Sequence, residues 1–298
     1  MRAILATCFS LLLMVVVSHE ATAGTQSVTV DVGGQGLYLP APAGFHEISL
    51  LSPETRKLAE TLTPPSNRLL AVFVSESDLG RIMKGESPEL QRYMFMQAYR
   101  QLEKSDISGA QFSKLVAQVK QQQYTLLEKS KDQVDSVIDR ASGKISKDYG
   151  ISLKVNIGEP VPLGVFMEKS DAVGFAMLAK CHGAAEGQQV DLLMAGGTSL
   201  VRVNGKILYA YVYSRYETQK DLDWVRATSS SWADQLLTAQ VAQGTSTGAE
   251  HRSTSASGFG WDEVVEKAIG AGIVGGIAGL IIGAIKVTMM FLRKKQES

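Results

Sequence analysis

Cysteine is nearly absent from this chain. Its 298 residues hold two, Cys8 and Cys181. Cys8 falls in an N-terminal apolar stretch that reads as a cleaved leader, so Cys181 would stand alone and no intrachain disulfide could form. Histidine is equally scarce at four residues, too few and too dispersed to build a metal site. An excess of one charge is lacking as well: 30 basic residues face 30 acidic ones, which leaves no electrostatic footprint for nucleic acid. None of the three asparagines, Asn67, Asn156 and Asn204, opens an N-x-Ser/Thr sequon. G-x-S-x-G, H-E-x-x-H, P-loop and C-x-x-C motifs are all missing. The carboxylates are scattered, so no catalytic, cofactor-binding or metal-ligating residue is nominated and no cofactor is expected.

The two ends of the chain carry the strongest signals. Arg2, the apolar run Ala3 to Val17 and the small-x-small triplet Ala21-Thr22-Ala23 have the layout of a signal peptide cleaved after Ala23. Thr7 precedes Cys8 where a lipid-attachment site wants Gly or Ala, so no lipid anchor is expected. At the other end, Ala268 to Leu292 is an almost unbroken apolar, glycine-rich run followed by Arg293, Lys294 and Lys295. About 25 residues at 1.5 Å each give a helix of roughly 37 Å, enough to cross a hydrocarbon core of about 30 Å with some tilt. With the basic cluster inside, the expected topology is single-pass in a bacterial inner membrane, main domain extracytoplasmic and C-terminus cytoplasmic. Lys286, near the inner end, is placed to snorkel to the headgroups.

Between the ends, periodicity changes several times. Ser27 to Val32 and Gly36 to Leu39 alternate around Gly33-Gly34, as a hairpin does, and Leu69 to Val74 reads as a short strand. Arg92 to Tyr99 fits a strand or a helix equally well. From Gly109 to Lys147 apolar residues recur at helical spacing, which predicts one amphipathic helix lying on a sheet. Strands return at Leu163 to Glu168, Ala172 to Ala179, Val190 to Met194, Ser199 to Val203 and Lys206 to Tyr213, the last two joined by the hairpin signal Asn204-Gly205. A final helix from about Thr218 carries Leu222, Val225, Ser229, Trp232, Leu236 and Ala239 on one stripe. Residues 241–260 then turn to Gln, Gly, Ser, Thr, Ala and His, the composition of a flexible tether.

The run Val203 to Tyr213, followed by Asp221-Leu222-Asp223-Trp224 and Trp232, resembles the closing strand pair and helix of uncharacterised bacterial exported proteins. The element order is similar to the PsbP/Mog1-type α/β/α sandwich. That resemblance implies a fold and transfers no functional residue. The expected architecture is α+β, a mainly antiparallel sheet packed with helices plus a C-terminal transmembrane helix. The divisions are 1–23 signal peptide, 24–240 extracytoplasmic domain, 241–261 linker, 262–292 membrane helix and 293–298 tail.

Four features invite a chemical reading. Gly270-Ala271-Gly272-Ile273-Val274-Gly275 matches G-x-G-x-x-G, but inside a membrane-length apolar run it lacks the strand and aqueous phosphate site that motif needs. Gly272 and Gly276, and Gly275, Gly279 and Gly283, lie four apart and present bare backbone on one helix face, a helix-association surface that a second copy could use. Cys181-His182 are adjacent on a strand and point to opposite faces, so they make no dyad. Tyr209, Tyr211 and Tyr213 share one strand face, either as a binding surface or packed beneath a helix with hydroxyls at its rim. The expected function is a membrane-anchored binding or assembly module for an unidentified envelope protein. A hydrolase with a site built from distant residues, and a membrane complex or pore built on the glycine-rich helix, are the alternatives.

Overall fold

Residues 27–244 and 261–296 are described by the structure, a computed structural model. The leader and residues 245–260 of the tether lie outside the described residues. Gly33 and Gly34, at φ of 63° and 88°, supply the left-handed conformation of a two-residue hairpin turn and join β1 (Val28–Val32) to β2 (Gln35–Leu39). After β3 (Phe45–Glu47), Ser52 caps α1 (Pro53–Leu62) by accepting the Thr55 N–H, and Pro53 opens the first turn. Ser75 ends β4 (Asn67–Ser75) and caps α2 (Glu76–Met83) through the Asp78 N–H. Arg92–Tyr99 is a strand, β5.

The long helical pattern forms two helices. A capping box of Ser108 and Gln111 opens α3 (Gly109–Lys129), and α4 (Lys131–Tyr149) ends at Gly150 in the left-handed conformation. Between them the Ser130 hydroxyl donates to the Leu126 carbonyl at 2.6 Å, a back-bond that competes with the helix ladder. Five strands follow: β6 (Leu153–Ile157), β7 (Val161–Lys169), β8 (Ala172–Ala185), β9 (Gln188–Val203) and β10 (Lys206–Arg215). Then come α5 (Gln219–Gly244) and α6 (Trp261–Gln296).

The main sheet is antiparallel throughout, in the order β3-β4-β5-β10-β9-β8-β6, with β7 also on the edge of β8. On one face lie α5 and the β1–β2 hairpin, around Trp232, Phe73, Leu208, Ala210 and Val212. The other face carries α6, and α1, α3 and α4 pack over α6 in turn. The fold is therefore α+β, an antiparallel sheet layered between helices, with one long apolar helix at the C-terminus.

Two differences from the sequence reading have separate causes. The segments 190–194 and 199–203 are one strand, β9, running through Gly196 and Gly197. Those glycines mark close approach of helices on both faces. A Cβ on Gly196 would sit 2.9 Å from Leu280 Cδ2 of α6, and one on Gly197 2.6 Å from Ser229 Oγ of α5. The short elements α1, α2, β3 and β6 also escape a periodicity reading, since three to ten residues hold too few repeats to choose a period.

Candidate functional site

Strand alternation puts Tyr209, Tyr211 and Tyr213 on one face of β10, and the antiparallel register sets Gln97, Phe95 and Tyr93 of β5 beside them. On the other side stand Leu200, Thr198 and Gly196 of β9. All four tyrosines are at most 1% exposed. Their rings form a file, with centroids 6.2 Å apart from Tyr209 to Tyr211, 6.2 Å to Tyr213 and 5.0 Å on to Tyr93.

Each hydroxyl in that file donates to a backbone carbonyl of α6. Tyr209 reaches Ala268 at 2.7 Å, Tyr211 reaches Gly272 at 3.1 Å, Tyr213 reaches Gly275 at 3.4 Å, and Tyr93 reaches Gly279 at 2.9 Å. The Tyr93 hydroxyl also accepts the Gly283 N–H at 3.3 Å, so it sits between the two backbone groups that an unbroken helix would pair directly. Beside the file, the Asn67 amide donates to the Ala271 carbonyl at 3.0 Å and to Gln97 Oε1 at 2.9 Å. Cys181 Sγ lies 3.6 Å from the Leu280 carbonyl.

The glycines of α6 make this approach possible. A Cβ on Gly275 would lie 2.5 Å from the Tyr211 hydroxyl, and one on Gly276 2.5 Å from Thr198 Oγ1. On Gly279 it would overlap the Tyr213 hydroxyl and ring. Gly272 and Gly283 face Tyr209 and Met194 at 3.2 and 3.3 Å. The face read as a helix-association surface is thus the face that meets the sheet, and the tyrosine stripe is covered by α6, not open as a surface. Its hydroxyls point into the interface instead of to a rim. Six glycines between Gly270 and Gly283 cost about 5 kcal/mol of helix propensity relative to alanine, a cost the close packing has to offset.

One helix among the described residues, over Glu263–Thr288, is long and apolar enough to cross a membrane, and 94% of its apolar window is buried within the fold. A helix apolar on every side needs cover on every side, and here the sheet and α1, α3 and α4 supply it. Lys286 is half-buried near its end.

Burial pushes the hydroxyls of Tyr93, Tyr209, Tyr211 and Tyr213 well above the ordinary tyrosine range. An acid whose folded pKa is raised holds its proton longer folded than unfolded. Its contribution is full below the unfolded value near 10 and is lost as pH rises beyond it. Unfolding titrations should therefore show stability insensitive to these groups up to about pH 10. Above it, stability should fall by about 1.4 kcal/mol per pH unit for each tyrosine. A Tyr211→Phe/Tyr213→Phe chain should fall less steeply.

Cys181 and His182 face opposite ways, as strand alternation requires. Burial pushes the Cys181 thiol up to about 12, which leaves no thiolate for chemistry at neutral pH. His182 Nδ1 lies 2.7 Å from Asp191 Oδ1 across the β8–β9 pair, on the exposed side. Among the described residues no group of three or more His, Cys, Asp or Glu could hold a metal ion. Tyr93, Asn67, Gln97 and Thr198 complete the helix-binding face and were not nominated from sequence. For Tyr93 and Gln97 the signal was the alternation Tyr93-Phe95-Gln97-Tyr99, legible only once β5 is known to be a strand; Asn67 on β4 and Thr198 on β9 had none.

No protein-family model and no curated protein matches the chain. Among solved structures it is similar to the Saccharomyces cerevisiae Ran-binding protein Mog1p, at 11% identity over 72% of this chain and 94% of that one, with a TM-score of 0.27.

Proposed function

We propose that this chain is a binding or assembly module of a bacterial envelope that carries a membrane-competent helix, the one among the described residues, folded into its own core. The observation that supports the reading is the double character of α6: long and apolar enough to span, yet hydrogen-bonded along one face to four tyrosines. In this reading the leader exports the domain, and α6 docked keeps it water-soluble. Undocked, α6 spans the inner membrane with Arg293, Lys294 and Lys295 in the cytoplasm. As α6 leaves, a helix with small residues at matching spacing, from an envelope protein or a second copy, takes its place on the tyrosine face, because the sheet does not hold its fold uncovered. No enzymatic step is assigned.

Flotation with vesicles of phosphatidylcholine alone, which carry no net negative charge, tests it. The wild-type protein should stay in the aqueous fraction. Gly279→Leu, whose side chain cannot fit beside Tyr213, should undock α6 and float with the lipid. A Gly279→Leu protein with exposed tyrosines that still ignores vesicles would show that α6 is not a membrane segment. Wild-type protein that floats with its tyrosines still buried would show that attachment does not need undocking.

A further inference from the structure

The loop that holds α6 through Asn67 has a second face. Residues Thr63 to Asn67 run Thr-Pro-Pro-Ser-Asn between α1 and β4, and their outward side borders a basin of about 560 Å³. Into it come Arg56 and Glu60 of α1, Arg68 of β4, Arg100 beyond β5, and Arg140 and Lys144 of α4. Five cations thus share the basin with one acid.

Two of the cations are neutralised. Arg56 Nε pairs with Glu60 at 2.8 Å, and Arg68 grips both carboxylate oxygens of Glu103 at 2.9 and 2.8 Å. The other three have no carboxylate within ion-pair distance among the described residues. Arg100 Nε donates to the Asn67 carbonyl at 2.9 Å, and an Arg140 Nη donates to the Thr63 carbonyl at 3.1 Å. Each guanidinium is therefore fixed by one bond to the same loop, with its remaining N–H donors unassigned. The loop is itself held: Asn67 N–H donates to Pro64 O at 2.9 Å and Arg100 N–H to Ser66 O at 3.0 Å. Asp148, one turn from Lys144, is occupied by Lys57 at 2.9 Å.

We infer that this basin binds a phosphate group carried on a small organic moiety. Fixed guanidinium forks with free donors match the oxygens of a phosphate ester in geometry and charge, Lys144 adds a point charge, and the volume falls in the range of small-ligand sites. A soluble phosphoester and the headgroup of an anionic phospholipid share this chemistry. The site is separate from the tyrosine face, so its test does not depend on α6 undocking.

Thermal unfolding of the full mature chain is followed with sn-glycerol 3-phosphate, with sodium chloride at equal ionic strength, and with vesicles of phosphatidylglycerol in phosphatidylcholine. A saturable rise in Tm with glycerol phosphate beyond the chloride control supports a soluble ligand. Binding to the anionic vesicles alone supports the headgroup. In either case Arg140→Gln/Lys144→Gln should weaken the apparent affinity by about a hundredfold, roughly tenfold for each charged contact removed. Lys144→Gln by itself, at a solvent-facing side chain with no bond to the loop, should weaken it about tenfold even if the double variant misfolds. A response no larger than chloride from both probes, or one that these substitutions leave unchanged, overturns the assignment.

Discussion

A chain ending at Gly260 should lose its cooperative unfolding transition and collect in the insoluble fraction. Nine large aliphatic residues of α6, from Val265 to Ile285, are at most 2% exposed. At the low end of about 1.5 kcal/mol each, their burial is worth on the order of 13 kcal/mol, comparable to the whole stability of an ordinary domain. Removing α6 also strips cover from the tyrosine hydroxyls, from Phe175, Met177 and Leu200 on the same face, and from the inner sides of α3 and α4. A domain merely tethered to a membrane helix would behave in the opposite way: deleting the anchor would leave it folded and make it easier to purify. Circular dichroism during heating separates the two, and a native-like sharp transition in the truncated chain would remove α6 from the core.

The second large effect reverses an expected sign. Replacing Gly279 by alanine should favour a free helix, or one in lipid, by about 1 kcal/mol. In the docked helix the new Cβ overlaps the Tyr213 hydroxyl and ring, and overpacking of this kind costs about 1–3 kcal/mol. The neighbouring bonds from Tyr213 to Gly275 and from Tyr93 to Gly279 are disturbed as well, at about 1 kcal/mol each. Gly279→Ala should therefore destabilise by about 2–4 kcal/mol and lower Tm by roughly 5–15 °C. The cause can be isolated by repeating the substitution in a Tyr213→Ala background, where the obstruction is gone. There Gly279→Ala should be neutral or stabilising, a coupling of 2 kcal/mol or more. A rise in Tm from Gly279→Ala in the otherwise native chain would mean that the glycine faces open space or lipid.

Much of the fold could be read from turn chemistry. Asn204 and Gly205 adopt φ of 49° and 80°, the hairpin geometry their dipeptide calls for, and Leu222, Val225, Ser229, Trp232 and Leu236 are the buried stripe of α5. What stayed hidden was the cover over α6. A helix apolar all round has no polar face to say whether protein or lipid surrounds it, and hydropathy and length are the same in both cases. The glycine spacing and the tyrosine alternation were both visible, but each had a self-sufficient explanation alone. Their relation is metric. Two residues of strand advance about 6.7 Å, and three to four residues of helix advance about 5 Å. Successive tyrosines on β10 therefore meet successive turns of a helix running in the same direction, at Ala268, Gly272 and Gly275. The basic basin was beyond reach for a simpler reason, since its cations come from positions 56 to 144 and meet only through the packing of α1 on α4.

The docking of α6 on the sheet can be read directly in cells with a disulfide. Gly276 and Thr198 face each other so closely that a Cβ on the glycine would lie 2.5 Å from the threonine hydroxyl, which puts the two Cβ atoms no more than about 4 Å apart, close enough for the roughly 3.5–4.5 Å of a disulfide. In a Thr198→Cys/Gly276→Cys chain, made in an oxidising compartment and trapped by alkylation before lysis, the docked helix requires a near-quantitative intramolecular disulfide. It should be visible as a reductant-sensitive mobility shift that neither single variant shows. Stable, folded protein whose two introduced thiols are both recovered unbridged would contradict it and put α6 outside the domain.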